Sequence, residues 1–156
     1  MNMVEEMVQL SDDELLRYAR QVLLDGWDMD AQLRLKTARV VIIGAGGLGC
    51  PASETLVRAG VGHVHLIDDD EIEASNLQRQ TLFLPENIGQ SKALTAAHML
   101  ARINPLIEAR GTVARLDEDN AYALLDMAAC KPDLLLDCTD NFATRDIINR
   151  ISVRYQ

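Results

Sequence analysis

The run Val40-Val41-Ile42-Ile43 feeds directly into Gly44-Ala45-Gly46-Gly47-Leu48-Gly49, and that junction constrains the fold more than any other stretch. A β-branched strand enters a G-x-G-x-x-G turn at Gly44, Gly46 and Gly49, and an apolar pattern at helical spacing leaves it. A parallel α/β sheet cradles phosphates with such a junction. The first glycine permits the tight turn, the second lets a phosphate approach the backbone, and the third lets helix and strand pack closely. Phosphate oxygens then meet free N–H groups and the positive end of the helix dipole. By itself the turn specifies a nucleotide and nothing finer. The polar cluster 26 to 31 residues beyond Gly49, Ser75-Asn76-Leu77-Gln78-Arg79-Gln80, narrows it.

Periodicity around the turn predicts the architecture. Ser11 and Glu14 form an S-x-x-E capping box that opens a helix. Its apolar positions are Leu15, Leu16, Ala19, Val22 and Leu23, and its polar face is Arg17, Tyr18, Arg20 and Gln21. A second short helix is expected near Asp30. Strands are expected over 39–43, 63–68, 107–113 and 133–138, and helices over 48–59, 91–103, 119–129 and 141–156. Leu134-Leu135-Leu136 reads as a strand buried on both faces. This order predicts an α/β fold: a Rossmann-like, doubly wound, mainly parallel sheet of strand order 3-2-1-4, preceded by N-terminal helices. The ligand then belongs in the crevice between the carboxyl ends of strands one and four. The expected division is a helical arm over 1–38 and a nucleotide-binding domain over 39–156. The last helical pattern ends without Gly, Asn or Pro as a stop, and four strands make a thin domain. The chain is therefore expected to be the N-terminal part of a longer protein.

Composition excludes several partners. With 24 acidic and 15 basic residues the net charge is −9, a surface that repels nucleic acid and anionic membranes. No apolar run approaches the ~20 residues that span a bilayer. The segment Met1 to Leu10 carries Glu5 and Glu6 without a basic flank, unlike a signal peptide. Cys50, Cys130 and Cys138 form no C-x-x-C pair, and the reducing cytoplasm is the expected location.

Several residues carry candidate chemistry. Asp68, 19 residues beyond Gly49, is placed to accept hydrogen bonds from ribose hydroxyls, which suits NAD, FAD and ATP alike. Asn76, Arg79 and Gln80 discriminate among these, because Arg presents a rigid fork of donors to phosphoryl oxygens. Lys92, at a helix start, adds a mobile point charge to the same task. Asp140 and Asn141 follow strand four. A carboxylate there can hold Mg²⁺ between phosphates, and either residue can also cap a helix. Asp137, on the strand itself, is ambiguous. Arg17 and Arg20, ahead of the domain, could reach a phosphate across a dimer interface. Cys50 reads as a small core residue despite its place at a helix N-terminus, and Cys130 and Cys138 also read as structural. His63, His65 and His98 show no evident carboxylate partner, so none is assigned a metal.

These residues together resemble the ubiquitin-activating-type adenylyltransferases, the activators of sulfur-carrier proteins in molybdopterin and thiamine synthesis. The likeness rests on seven motifs in family order over residues 15–150: Arg17-Tyr18-Ala19-Arg20-Gln21, the glycine turn, Ala59-Gly60-Val61-Gly62, Ser75 to Gln80, Gly89-Gln90-Ser91-Lys92, Arg102-Ile103-Asn104-Pro105 and Leu136 to Asn141. It implies ATP and Mg²⁺ as cofactors and a ubiquitin-like sulfur-carrier protein ending in Gly-Gly as partner. The carrier's terminal carboxylate would attack the α-phosphate, giving an acyl-adenylate and pyrophosphate. By the same likeness Gly44, Gly46, Gly47, Gly49, Ser75, Asn76, Leu77, Gln78 and Asn141 contact ATP, and Asp68 holds the ribose. Arg79 and Lys92 steady the triphosphate, Asp140 handles Mg²⁺ through ATP, and Arg20 reaches the ATP of the opposite subunit of a homodimer. Structural zinc on two C-x-x-C pairs is implied only for a longer form. Two other readings remain open here. An NAD-dependent oxidoreductase explains the turn and Asp68 but leaves Arg79, Lys92 and Asp140 without a purpose. A non-catalytic module would bind nucleotide or dock a carrier without turnover.

Overall fold

Four strands form one all-parallel sheet of order β3-β2-β1-β4, as the sequence predicts. They are β1 (Arg39–Ile43), β2 (His63–Ile67), β3 (Glu108–Thr112) and β4 (Leu134–Asp137). The computed structural model describes residues 9–125 and 127–155, so Glu5 and Glu6 and the expectation drawn from them lie outside the described residues. Among the described residues six α-helices accompany the strands: α1 (Asp12–Val22), α2 (Met29–Thr37), α3 (Gly49–Ala59), α4 (Lys92–Ile103), α5 (Ala121–Leu124) and α6 (Phe142–Arg154). Register places Ile43 opposite both Ile67 and Asp137. The loops after β1, β2 and β4 therefore leave the sheet side by side, and this alignment creates the site.

The two faces of the sheet feed two apolar layers. Val40, Ile42, Val64 and Leu66 pack with Cys50, Val57, Ala96 and Leu100 of α3 and α4. The alternate residues Val41, Ile43 and Ile67 pack with Leu116, Leu125, Ile147 and Ile148. Each fully buried aliphatic side chain contributes about 1.5–3 kcal/mol, so β1, buried on both sides, anchors the domain.

Three expectations need correction. The first concerns α1, whose capping box forms as predicted but whose inward side includes Tyr18 and Gln21 of the polar face, while Arg17 and Arg20 stay exposed. Tyr18 is 2% exposed while Leu16 and Leu23 are about 80% exposed. The reason is hydrogen bonding. The Ala59 carbonyl at the buried end of α3 needs donors, which Gln21 and Gln32 supply at 3.0 and 2.9 Å. The Tyr18 hydroxyl accepts from Asn104 Nδ2 at 2.8 Å, and buried Glu14 pairs with Lys36 at 2.7 Å. Second, β4 lies at the sheet edge of the described residues, and Leu134 is exposed rather than buried on both faces. Third, the helix expected over 119–129 is regular only over Ala121–Leu124. Asp117 Oδ1 accepts the Asp119 and Asn120 N–H groups and starts it. The Met127 N–H then reaches back five residues to the Tyr122 carbonyl, and helical register is lost.

Candidate functional site

A cleft of about 1110 Å³ opens at the carboxyl ends of β1, β2 and β4. Its floor is the glycine turn. Gly44 has φ +97°, and a Cβ there would stand 2.7 Å from the Cys138 carbonyl oxygen of the neighbouring strand's exit. A Cβ on Gly49 would stand 1.9 Å from the Gly44 carbonyl oxygen. Turn and helix thus touch backbone to backbone. Gly46 differs, because the nearest atom to a side chain there is Gln80 Nε2 at 3.9 Å, so its face toward the cleft is open. No side chain caps the start of α3, whose N-cap is Leu48. The positive end of that helix is left to a ligand.

Asp68 locks this floor to the next loop. Its Oδ2 accepts the Ala45 N–H at 2.7 Å and its Oδ1 accepts the Asp70 N–H at 2.8 Å. Burial pushes its carboxyl above the usual range, against the opposing pull of those two N–H groups and the Lys92 charge. Lys92 is not the mobile point charge that its position suggests. It is 7% exposed, and its Nζ donates to Asp70 Oδ2 at 2.7 Å while its own N–H donates to the Asp70 carbonyl. Arg79, exposed, lies over Gly47 and donates from Nη1 to the Ser75 carbonyl at 3.1 Å. Buried Asn76 accepts the Glu73 N–H and shapes the loop that presents Arg79.

On the far wall the capping role falls to Asn141, whose Oδ1 accepts from the Ala143 N–H at 2.9 Å. That leaves Asp140 exposed on the cleft with no hydrogen bond or ion pair among the described residues. Asp137 is folded into its own turn, accepting from the Thr139 N–H and hydroxyl.

The cleft therefore gathers Gly44, Gly46, Gly47, Asp68, Asn76, Arg79, Lys92, Asp140 and Asn141. Gly49 lies beneath the turn, and Ser75, Leu77 and Gln78 do not line the cleft. Arg20 does not line it either; it is exposed on α1. Sequence reasoning missed Asp70, Arg115 and Arg145, which do line it. Asp70 could have been found from its i+2 spacing to Asp68, the reach of an Asx turn. His63 also has the carboxylate partner that the sequence did not reveal, Glu108 Oε2 at 3.1 Å from its Nδ1. Cys50 is fully buried, and desolvation pushes its thiol up to about 11.

The order of these features along the chain matches a known family. The ThiF family profile aligns with residues 18–156, nearly the whole described fold. The chain belongs to the ThiF family. It is 49% identical over 143 residues to the molybdopterin-synthase adenylyltransferase of Escherichia coli K12, covering 92% of this chain and 56% of that protein. It is 44% identical over 142 residues to the sulfur carrier protein adenylyltransferase of Thermus thermophilus, covering 90% of this chain and 51% of that one. The chain thus spans about half the length of the curated relatives it matches. Among solved structures it superposes on the tRNA N6-threonylcarbamoyladenosine dehydratase of E. coli in complex with ATP at a TM-score of 0.84 and 26% identity, over 94% of this chain and 59% of that one. It also superposes on E. coli MccB with ATP at a TM-score of 0.74 and 30% identity, over 88% and 41%. The ThiF-family relatives named here are adenylyltransferases.

Proposed function

We propose that this chain supplies the ATP-binding half of an adenylyltransferase that activates the C-terminal glycine carboxylate of a ubiquitin-like sulfur-carrier protein. One observation carries the reading: Gly46, Arg79, Lys92 and Asp140 converge on one cleft above an uncapped helix N-terminus. Residues 39–156 are the nucleotide domain in this reading, and residues 1–38 are an arm.

In the proposed reaction a carrier carboxylate oxygen attacks the α-phosphorus, the bond to the β-phosphate breaks, and pyrophosphate leaves with that electron pair. No protein nucleophile is required, so the work is positioning and charge stabilisation. The glycine turn and the α3 N-terminus bind phosphoryl oxygens. Asp68, whose oxygens each retain a lone pair, accepts from the ribose. Arg79, free to move off the Ser75 carbonyl, follows the triphosphate, and Lys92 exchanges Asp70 for a phosphate oxygen.

Donor chemistry favours Asp140 for Mg²⁺. The Asp68, Asp69 and Asp70 oxygens lie within 4.8 Å of one another, but Asp68 is held by two N–H groups and Asp70 by Lys92. Asp140 alone of these four faces the phosphates from β4, and one carboxylate with substrate oxygens is an ordinary Mg²⁺ set. The ion would neutralise charge on the β- and γ-phosphates. Arg20, outside this cleft and without a partner among the described residues, would serve the ATP of a second copy in a homodimer. The cytoplasm is the proposed location. No described helix is long and apolar enough to cross a membrane.

ATP–pyrophosphate exchange tests the reading, with Mg²⁺ and a panel of Gly-Gly-ending carriers, on this chain and on one continued to the length of its relatives. Carrier-dependent exchange supports it, and the responding carrier names the pathway. Absence of exchange from both chains would sink it.

A further inference from the structure

At the end of the sheet away from the nucleotide cleft, a cavity of about 70 Å³ lies over the first residues of β1, β2 and β3. Strand register explains what lines it. Arg39, His63 and Glu108 stand opposite one another in one row across the three strands, and His65 and Arg110 follow in a row two residues on. Side chains alternate along a strand, so all five share the face on which Val41 packs with Leu125. Half-buried Cys130 completes the wall. Three of these groups are accounted for. Glu108 Oε2 lies 3.1 Å from His63 Nδ1, and Thr112 Oγ1 lies 2.8 Å from His65 Nε2. The Arg39 and Arg110 side chains, by contrast, make no hydrogen bond or ion pair among the described residues. An acid is at hand without pairing them: Asp133 Oδ2 accepts the Arg39 backbone N–H at 2.8 Å and leaves the guanidinium alone.

A chain of net charge −9 that gathers two unpaired guanidinium groups in one cavity sets a local field there opposite to that of its surface. Arg39 is half-buried at the start of a strand that otherwise reads Val-Val-Ile-Ile, where a charge without a counter-charge is unfavourable. The two arginines also repel each other until an anion sits between them. We propose that this cavity is a second anion site, which takes a tetrahedral oxyanion of the phosphate class between the Arg39 and Arg110 guanidinium groups. Reach and shape both favour it. Strand spacing and the two-residue offset put the Arg39 and Arg110 Cα atoms roughly 12 Å apart on either side of β2, so both side chains can extend over His63 and His65. Forks arriving from two directions match oxygens arranged around one centre, whereas a flat carboxylate is satisfied by a single fork. The volume suits one such group and not a nucleotide, unlike the cleft of about 1110 Å³. The two sites open at opposite ends of the sheet, so neither depends on the other.

Cys130 supplies a local reporter of occupancy. Its alkylation by iodoacetamide, a neutral reagent, is timed by peptide mass spectrometry in inorganic phosphate, glycerol 3-phosphate, acetate and chloride at matched ionic strength. Wild type, Arg39→Gln and Arg110→Gln are compared, each against its own rate in chloride. In wild type, phosphate at ten times its dissociation constant is expected to slow Cys130 by about tenfold, as mass action requires of a shielded thiol. Each substitution is expected to raise the phosphate concentration for half-protection by about tenfold or more, the worth of a hydrogen bond to a charged group. Arg110 is exposed and unpaired, so Arg110→Gln should melt with wild type, and it decides the matter alone if Arg39→Gln folds poorly. Phosphate bound in the nucleotide cleft leaves Cys130 open, which keeps the two sites apart in the readout. Tighter protection by the ester than by the free ion, or the reverse, upholds the site and names its source of phosphate. Protection no greater than in chloride overturns the inference. So does protection that Arg110→Gln leaves unchanged. Acetate protecting as well as phosphate overturns the tetrahedral assignment.

Discussion

Replacing Gly49 by alanine tests whether the glycine turn is built on backbone contact. The new Cβ would lie 1.9 Å from the Gly44 carbonyl oxygen, where contacts below 3.0 Å are essentially never tolerated. The first turn of α3 and the end of β1 must then part by about 1 Å. Overpacking costs about 1–3 kcal/mol, and with rigid backbone on both sides the upper figure applies. Alanine's helix propensity returns up to about 1 kcal/mol at this position, leaving a net loss of about 2 kcal/mol. For a chain of this size that is a fall of roughly 4–8 °C in melting temperature. Gly46→Ala is the paired control, because its nearest neighbour stands at 3.9 Å and its φ is not in the left-handed region. It should melt within about 2 °C of wild type, since surface changes of this kind stay within about 0.5 kcal/mol. It should nonetheless bind ATP more weakly, because its methyl group occupies the phosphate's approach. Thermal melts with calorimetric ATP titration decide the matter. Gly49→Ala melting with wild type, or both variants losing equal stability, would refute the argument.

Other expectations follow from the same geometry. Arg79→Ala removes one exposed side chain with a single hydrogen bond, so melting should change by no more than about 0.5 kcal/mol while pyrophosphate exchange falls by about a hundredfold or more. Equal loss of both would show a structural role. Asp68 titrates above the usual carboxylate range in the folded chain, so its ionised form disfavours folding. As pH falls through that raised value, wild type should gain stability relative to Asp68→Asn, and parallel pH–stability curves would contradict this. The Cys50 thiol, pushed up to about 11, is thiolate to only about one part in a thousand at pH 8. Iodoacetamide should therefore label half-buried Cys130 well before it, as peptide mass spectrometry can read.

The sheet was legible because its signals are local and redundant. The run Val40 to Ile43, the glycine turn and the crossover helices each require a parallel arrangement, and strand order follows from handedness. The cleft was legible where a residue type stands at a fixed distance from a strand end, as for Asp68 and Asp140, which both line it. It was not legible where a partner comes from far away. Tyr18 and Gln21 of α1 point inward because Asn104 and the Ala59 carbonyl meet them there. Lys92 is pinned by Asp70, which sits 22 residues earlier. Local amphipathicity cannot reveal such partners.

The docking of α1 has a kinetic consequence. Its ties reach Ile103 and Asn104, 86 residues away, and Ala59, 38 residues away from Gln21. None of these acceptors and donors is in place until α3 and α4 have packed on the sheet, so α1 should add late in folding. By the same logic it should leave early and as a unit, since the Tyr18, Gln21 and Glu14 contacts hold a helix whose leucines already face water. Amide exchange in α1 should therefore proceed as one block, faster than in β1 and slower than in free chain. Arg20 rides on that block. The reach of its guanidinium should then depend on the opening of α1 as well as on its own rotamers.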